Sequence, residues 1–353
     1  MLTLNDVADH FTRELGNVVQ VARYADPRLD LPDNGVDVFI PDCHILRPED
    51  LALYPNCGFR QAEAFTAFLG SLHRLQTRDE QAGGRVRVWQ VGDLFDEWRS
   101  QEHGSAGQRI AGIRNAHGLK EMFDLLLSPR PGGLGAEVLA GNHDFQLFAL
   151  DDWRKARFRI VGDQGQMMVL HGDLFDWVER LPDQLQALIV QLARSFKPGE
   201  HQLFADTQQQ AVDAVNAHVP RGDVPIRPGV TPLQVAAEKQ AKNAAEDGFE
   251  ATNVIDGDRM DTVFFKSAKE LAAKVNGETQ GRIRLMVMGH THIARIARGV
   301  QADGSPFVLV DCGAWVDNCV LPGEHAAIRS AQCAVRRGNE IRILQIGVTP
   351  AHA

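Results

Sequence analysis

The sequence is poor in cysteine, and the cysteines it has are scattered: Cys43, Cys57, Cys312, Cys319 and Cys333 make five, an odd number. None of them forms a Cys-x-x-Cys pair. This excludes a disulfide framework and a zinc finger, and a reducing compartment is the simplest reading. No apolar stretch approaches the roughly 20 residues that a membrane-spanning helix needs. Residues 1–10 lack the basic segment and apolar run of a secretory signal. Positive charge is also in deficit: 37 Lys and Arg stand against 46 Asp and Glu, a net charge of -9 with histidine neutral. The chain as a whole therefore has no electrostatic pull toward nucleic acid or anionic lipid. These absences predict a soluble, cytoplasmic protein; a peripheral membrane contact stays open, and the oligomeric state is not specified.

What is present is a chain of 353 residues, 44% hydrophobic, long enough for one large α/β domain with insertions or for two modest domains. Leu4, Val7, Ala8, Phe11, Leu15, Val18 and Val19 recur at helical spacing behind a Thr3-x-x-Asp6 start, which predicts a capped amphipathic helix ahead of the core. From Val36 the pattern changes to short apolar runs at 36–40, 86–91, 137–140, 167–170 and 285–288, each closed by glycine or by Asp, His and Asn. These read as buried strands, and helical stretches at 61–75 and 113–127 favour an α/β architecture. Strand rhythm is lost between 171 and 285. Breaks near Pro198-Gly199 and at 220–232 mark this region as an inserted helical cap. Within it Leu185, Leu188, Ile189, Leu192 and Phe196 form an apolar helical stripe read as core packing, while 231–247 offers mainly alanines. Strands return at 307–310, 332–335 and 341–346. The expected domains are a helical prefix at 1–35, a core formed by 36–176 with 283–353, and the cap at 177–282.

The strand ends carry the chemistry. In order they read Asp42-Cys43-His44, Gly92-Asp93-Leu94-Phe95-Asp96, Gly141-Asn142-His143-Asp144, His171-Gly172-Asp173 and Gly289-His290-Thr291-His292. Loops at the carboxyl edge of an open α/β sheet converge and can present polar groups on a rigid support, so five strands would deliver these side chains to one rim. Glycines at 92, 141 and 289 would permit the sharp departures from strand geometry. Imidazole, carboxylate and amide donors without a proposed thiolate fit manganese, iron or zinc better than a calcium loop or a structural zinc site. Two such ions about 3.5–4 Å apart would share a bridging carboxylate and water, and would clamp the oxygens of an in-line displacement at phosphorus. Asp-x-His, Gly-Asp-x-x-Asp and His-Gly-Asp are weak signals alone, Gly-Asn-His-Asp reads equally well as a turn with an Asn cap, and Gly-His-Thr-His is stronger because core packing explains two alternate histidines poorly; the ordered set of five carries the inference.

These blocks, in this order, resemble the signature of the calcineurin-like metallophosphoesterase superfamily across 36–171 and from 285 onward. The resemblance implies a four-layer α/β/β/α sandwich with the helical cap inserted. It implies that Asp42, His44 and His292 hold a first metal, that Asp93 bridges, and that Asn142, His171 and His290 hold a second. It implies His143 as acid or charge stabiliser, with Asp144 as the partner that orients it. The activity implied is hydrolysis of a phosphate ester or pyrophosphate by a metal-bound hydroxide. The cofactors implied are two divalent ions, manganese first, with iron or zinc as alternatives. The partner implied is a small phosphorylated substrate, nucleotide-linked ones included.

Gly92-Asp93-Leu94-Phe95-Asp96-Glu97-Trp98 and Gly313-Ala314-Trp315 are further similar to the UDP-2,3-diacylglucosamine pyrophosphatases of lipid A assembly. Those enzymes typically carry arginine at the place of His143, and their loop corresponding to 42–93 is shorter. Trp98 and Trp315 read first as wall, not as substrate readers. A DNA nuclease would need a basic stripe; the densest cluster, Arg154, Lys155, Arg157 and Arg159, reads as a solvated face. A non-catalytic interaction module on the same fold would show broken ligand shells, whereas all seven positions are filled.

Overall fold

Two mixed sheets organise the described residues, and the apolar runs that the sequence displays form their central strands. The structure is a computed structural model, and it describes residues 2–16, 18–52, 59–97, 99–144, 147, 155–162, 164–175, 254–258, 263–279, 281–316 and 331–346. These lie within one unit, Met1–Arg180 with Thr252–Ala353. In chain order the elements are α1 (Leu4–Leu15), β1 (Val18–Ala25), β2 (Val36–Ile40), α2 (Pro48–Leu51), α3 (Ala62–Gln81), β3 (Val86–Gln90), α4 (Ala106–Asn115), α5 (Lys120–Leu127), β4 (Glu137–Leu139), β5 (Lys155–Ala156), β6 (Phe158–Val161) and β7 (Met167–Leu170). They continue with β8 (Val254–Asp256), α6 (Val263–Thr279), β9 (Leu285–Met288), β10 (Ala294–Val300), β11 (Pro306–Cys312), β12 (Gln332–Arg337) and β13 (Glu340–Ile346).

The first sheet runs β1-β13-β12-β2-β3-β4-β5, with β2 to β5 parallel and the β12, β13 and β1 side antiparallel. The second runs β6-β7-β9-β11-β10-β8, with β7, β9 and β11 parallel. Every residue of β2, β7 and β9 is buried, as expected of strands covered on both faces. Phe39, Trp89, Val91 and Leu139 of the first sheet side share one core with Met167, Val169, Val287, Ile296 and Val310 of the second. A second cluster joins α1, α3, α4 and α5 to the first sheet through residues such as Phe11, Phe68, Ile110 and Phe123. A third joins α6 to the second sheet through Phe265, Ala268 and Ala272 against Met286, Phe307 and Leu309. Each fully buried Phe or Leu in these clusters contributes roughly 1.5–3 kcal/mol of transfer free energy. No described helix is long and apolar enough to cross a membrane.

Several elements differ from the sequence reading. The capping box on Thr3 and Asp6 is formed, but the helix stops at Leu15; Gly16 takes φ 86 and the chain turns into β1. Val18 therefore pairs with Ile346 in the first sheet instead of extending the helix. Residues 1–35 are thus not a prefix: Leu4, Val7 and Phe11 lie in the core, and β1 is a sheet strand. The stretch 113–127 splits into α4 and α5 around Gly118, whose φ of 80 suits glycine. At the other end of the chain, β8 and α6 fall inside the range read as a cap. Val254–Asp256 pairs in parallel with β10, and α6 covers the second sheet, so these two elements belong to the core and not to a cap. The stripe at 185–196, the alanine-rich 231–247 and Trp98 lie outside the described residues.

One buried charge network ties the first sheet together. Asp37 of β2 is fully buried and accepts from Arg87 Nε at 2.6 Å, Arg336 Nε at 2.8 Å and Trp89 Nε1 at 3.1 Å.

Candidate metal centre

Five parallel strands end at one place, three from the first sheet and two from the second. β2 leads to Asp42 and His44, β3 to Asp93, β4 to Asn142, β7 to His171, and β9 to His290 and His292. The rim is therefore the seam between two sheets, not the edge of a single one. The first two loops are zipped together beyond their strands. Cys43 N and His44 N both donate to Asp93 O, at 3.0 and 2.9 Å, and Ile45 N donates to Leu94 O at 3.0 Å. Across the seam, Trp315 N donates to Asp42 O at 2.7 Å.

The backbone at this rim is strained where the candidate ligands stand. His44 (φ 48), Asp93 (φ 48), His290 (φ 74) and His292 (φ 58) all adopt the left-handed region; among the described residues only Asp30 joins them outside glycine. Each such residue costs on the order of 1–3 kcal/mol and persists only where its surroundings over-determine it. The glycines take two roles. Gly92 has φ 104, and a Cβ there would meet His171 Nδ1 at 2.5 Å. Gly141 and Gly289 do not need a left-handed φ; they are small because a carboxylate lies against them. A Cβ at Gly141 would stand 2.8 Å from Asp93 Cγ, and one at Gly289 would overlap Asp42 Oδ1.

The structure brings all seven predicted ligand side chains together. Asp42 Oδ2 lies 3.2 Å from His292 Nε2, and His292 Nε2 lies 3.1 Å from His44 Nε2. On the other side, His171 Nε2 lies 3.1 Å from Asn142 Oδ1 and 3.3 Å from His290 Nδ1. Asp93 Oδ2 stands between the halves, 3.5 Å from His44 Nε2 and 3.2 Å from His171 Nε2. Asp42, Asp93, His44 and His171 are buried. Imidazole nitrogens face each other in both halves, and carboxylates are gathered around them. Three groups could hold a metal ion: buried Asp42, Asp93 and His171, then Asp42 and His44 with half-buried His292, and His44 and Asp96 with half-buried His143.

The charge states suit such a site. Burial, reinforced by His143, pushes His44 down to about 3, so its ring is a neutral donor. Burial raises Asp93, but His171, His143 and His44 outweigh it and hold this carboxyl well below the usual range. Asp42 is likewise held down by His171 and His292 against the cost of its burial. His171 is opposed by burial yet raised well above its ordinary value by Asp93 and Asp42.

The residues beside the ligands rearrange one prediction. Asp144 does not orient His143: its carboxylate accepts from Gly141 N at 2.8 Å and Phe95 N at 3.1 Å, knitting the 141–144 loop to the 92–96 loop. Buried there next to Asp93, it is pushed up to about 7. The carboxylate on His143 is Asp96, whose Oδ1 lies 3.0 Å from Nδ1. Burial opposes charge on His143, but Asp96 and Asp93 raise it overall. The ring of His143 stands edge-on to His44 at 4.5 Å between centroids.

Asp96 was visible in the sequence as the second carboxylate of Gly92-Asp93-x-x-Asp96, but nothing in the spacing assigned it to His143. Arg157, read as part of a solvated face, instead donates to Gly141 O at 3.2 Å and to Asp173 Oδ2 at 2.6 Å, joining the Asn142 and His171 loops. Trp315 is wall, as expected, fully buried against Phe65 and Phe68 at 4.8 and 5.2 Å between centroids. Phe264 of α6 flanks His290 at 5.9 Å between centroids. Cys43, Cys312 and Cys333 are free and buried. No protein-family model matches the chain, and no curated protein matches it.

Proposed function

We propose that this chain is a two-metal phosphoesterase of the calcineurin-like metallophosphoesterase superfamily, with a four-layer α/β/β/α sandwich and a cap inserted after β7. Its reaction is hydrolysis of a phosphate ester or pyrophosphate bond in a small substrate. The observation that carries this reading is the convergence around Asp93 of six further candidate donors, drawn from four other strand ends, with four of the seven donor residues held in left-handed backbone.

The donor set fits two divalent ions: Asp42, His44 and His292 would hold one, Asn142, His171 and His290 the other, and Asp93 would serve both. When bound, the ions supply Lewis acidity at the phosphoryl oxygens and an activated water. The chain's own groups do the rest. Asp96 accepts from His143 Nδ1 at 3.0 Å and fixes the ring beside the first half-site. His143 Nε2 then stabilises the developing charge or gives its proton to the leaving oxygen. Asp144 and Arg157 hold the loop that presents Asn142. Nothing in the described residues favours the lipid A branch: Trp315 is packed away, and Trp98 lies outside them.

The test is metal content by mass spectrometry on the purified protein, with hydrolysis of bis-p-nitrophenyl phosphate and p-nitrophenyl phosphate in added manganese. About two ions per chain, and activity that collapses in His290→Ala, are expected. Wild type that takes up no metal and turns over neither ester removes the reading and leaves a non-catalytic module.

A further inference from the structure

We propose that Asp311 is a positioning residue for the turn that carries His290 and His292, acting through the hydroxyl of Thr291. This rests on the metal-centre reading and deepens it. In β11, Asp311 lies opposite Met288 of β9 on one side and Arg295 of β10 on the other, directly beside the connection from β9 to β10. Its side chain is 1% exposed. One oxygen, Oδ2, accepts a short hydrogen bond from Thr291 Oγ1 and lies 3.6 Å from Arg295 Nη2. The other, Oδ1, is buried without a hydrogen-bond partner. A packing role at this strand position is filled as well by valine or leucine, which carry no desolvation penalty. A buried carboxyl kept there calls for an explanation in what it holds.

What it holds is Thr291. The same hydroxyl accepts from Ile293 N at 3.2 Å, and Thr291 N donates to Gly289 O at 2.9 Å, closing the turn around one side chain. On the opposite side, His290 N donates to Asp42 at 2.9 Å. The turn is therefore gripped by two carboxylates, one a ligand and one not. Between the grips stand two left-handed histidines whose rings go to different half-sites: His292 Nε2 toward Asp42, His290 Nδ1 toward His171. Release of Thr291 lets both φ angles relax and moves both imidazoles together. Asp311 and Thr291 thus set the spacing between the two halves without belonging to either donor set.

The experiment compares wild type with Thr291→Val, which keeps the shape and removes the hydroxyl, Thr291→Ser, which restores it, and Asp311→Ala. In the metal-free proteins, long-range 1H-15N spectra report the imidazoles of His290 and His292, and thermal unfolding reports the fold. Manganese titration by calorimetry reports both ions. In Thr291→Val and Asp311→Ala we expect both imidazole signals to shift and both ions to bind about 10- to 100-fold more weakly. Thr291→Ser should stay near wild type, and melting temperature should not track the change. Unmoved imidazole signals in Thr291→Val, or equal changes in Thr291→Val and Thr291→Ser, overturn the inference. Wild type that binds no manganese overturns the metal-centre reading instead, and the imidazole signals still decide the positioning role.

Discussion

Gly289→Ala is the smallest perturbation that should empty half of the proposed centre while leaving the fold alone. Gly289 does not lie in the left-handed region, so its backbone accepts alanine, but the new methyl would overlap Asp42 Oδ1 and sit 3.2 Å from Cγ. Something must shift, and the side chain that must give is the carboxylate. In shifting, Asp42 loses the hydrogen bond it now accepts from His290 N, shared between Oδ1 at 3.0 Å and Oδ2 at 2.9 Å. A hydrogen bond to a charged group is worth about 1.5–3 kcal/mol. At about 1.4 kcal/mol per decade this predicts manganese binding weakened roughly 10- to 100-fold. The assay is calorimetric titration of the metal-free protein beside its thermal unfolding, with Gly277→Ala as control. Gly277 lies in α6 with nothing within 4 Å of a Cβ, so alanine there should stabilise by up to about 1 kcal/mol and leave binding unchanged. Wild-type manganese affinity in Gly289→Ala would refute the placement of Asp42 as a ligand. So would an affinity loss that only mirrors a fall in melting temperature.

Two further outcomes are expected. Asp96→Asn should leave metal content intact and lower kcat about 100-fold or more, because the ring it orients keeps its place in the loop but not its protonation; Asp144→Asn should cost stability first, and a reversed pattern restores the original pairing. Asp37→Ala strands the buried Arg336 guanidinium and should cost about 3–5 kcal/mol in urea unfolding, while Asp33→Ala, on the exposed Arg337 pair, should cost under about 1 kcal/mol. Equal small losses would show that the network around Asp37 is solvated.

The strands that lead to the candidate donors are the most legible part of the sequence because two independent signals coincide there. The runs at 36–40, 167–170 and 285–288 are wholly apolar, as strands covered on both faces must be, and each is stopped by a polar block. β1, β6 and β10 escaped notice because they are only partly covered and mix arginine with small apolar residues. The helix from Leu4 was read too long for a related reason: Val18 and Val19 fit its period, and only pairing with β13 decides against it. At the site, residue type named the donors, but partnership did not follow from adjacency. Asp144 is next to His143 in sequence and faces away, while Asp96 lies 47 residues back and meets the ring. Asp311 had no motif at all; it becomes visible only when β11 is laid beside β9.

The seam location has a consequence for the life of the protein. On the proposed function, a cation at this rim would be gripped from one sheet by Asp42, His44, Asp93 and Asn142 and from the other by His171, His290 and His292. Ligation then acts as a rivet through the sandwich, and any agent that binds the folded chain alone raises its stability by mass action, by about 2.7 kcal/mol at 100 times Kd. If the proposed function holds, turnover in the cell and turnover of substrate would answer to the same supply of metal: a starved molecule would be not merely idle but easier to open, and proteases would reach it first.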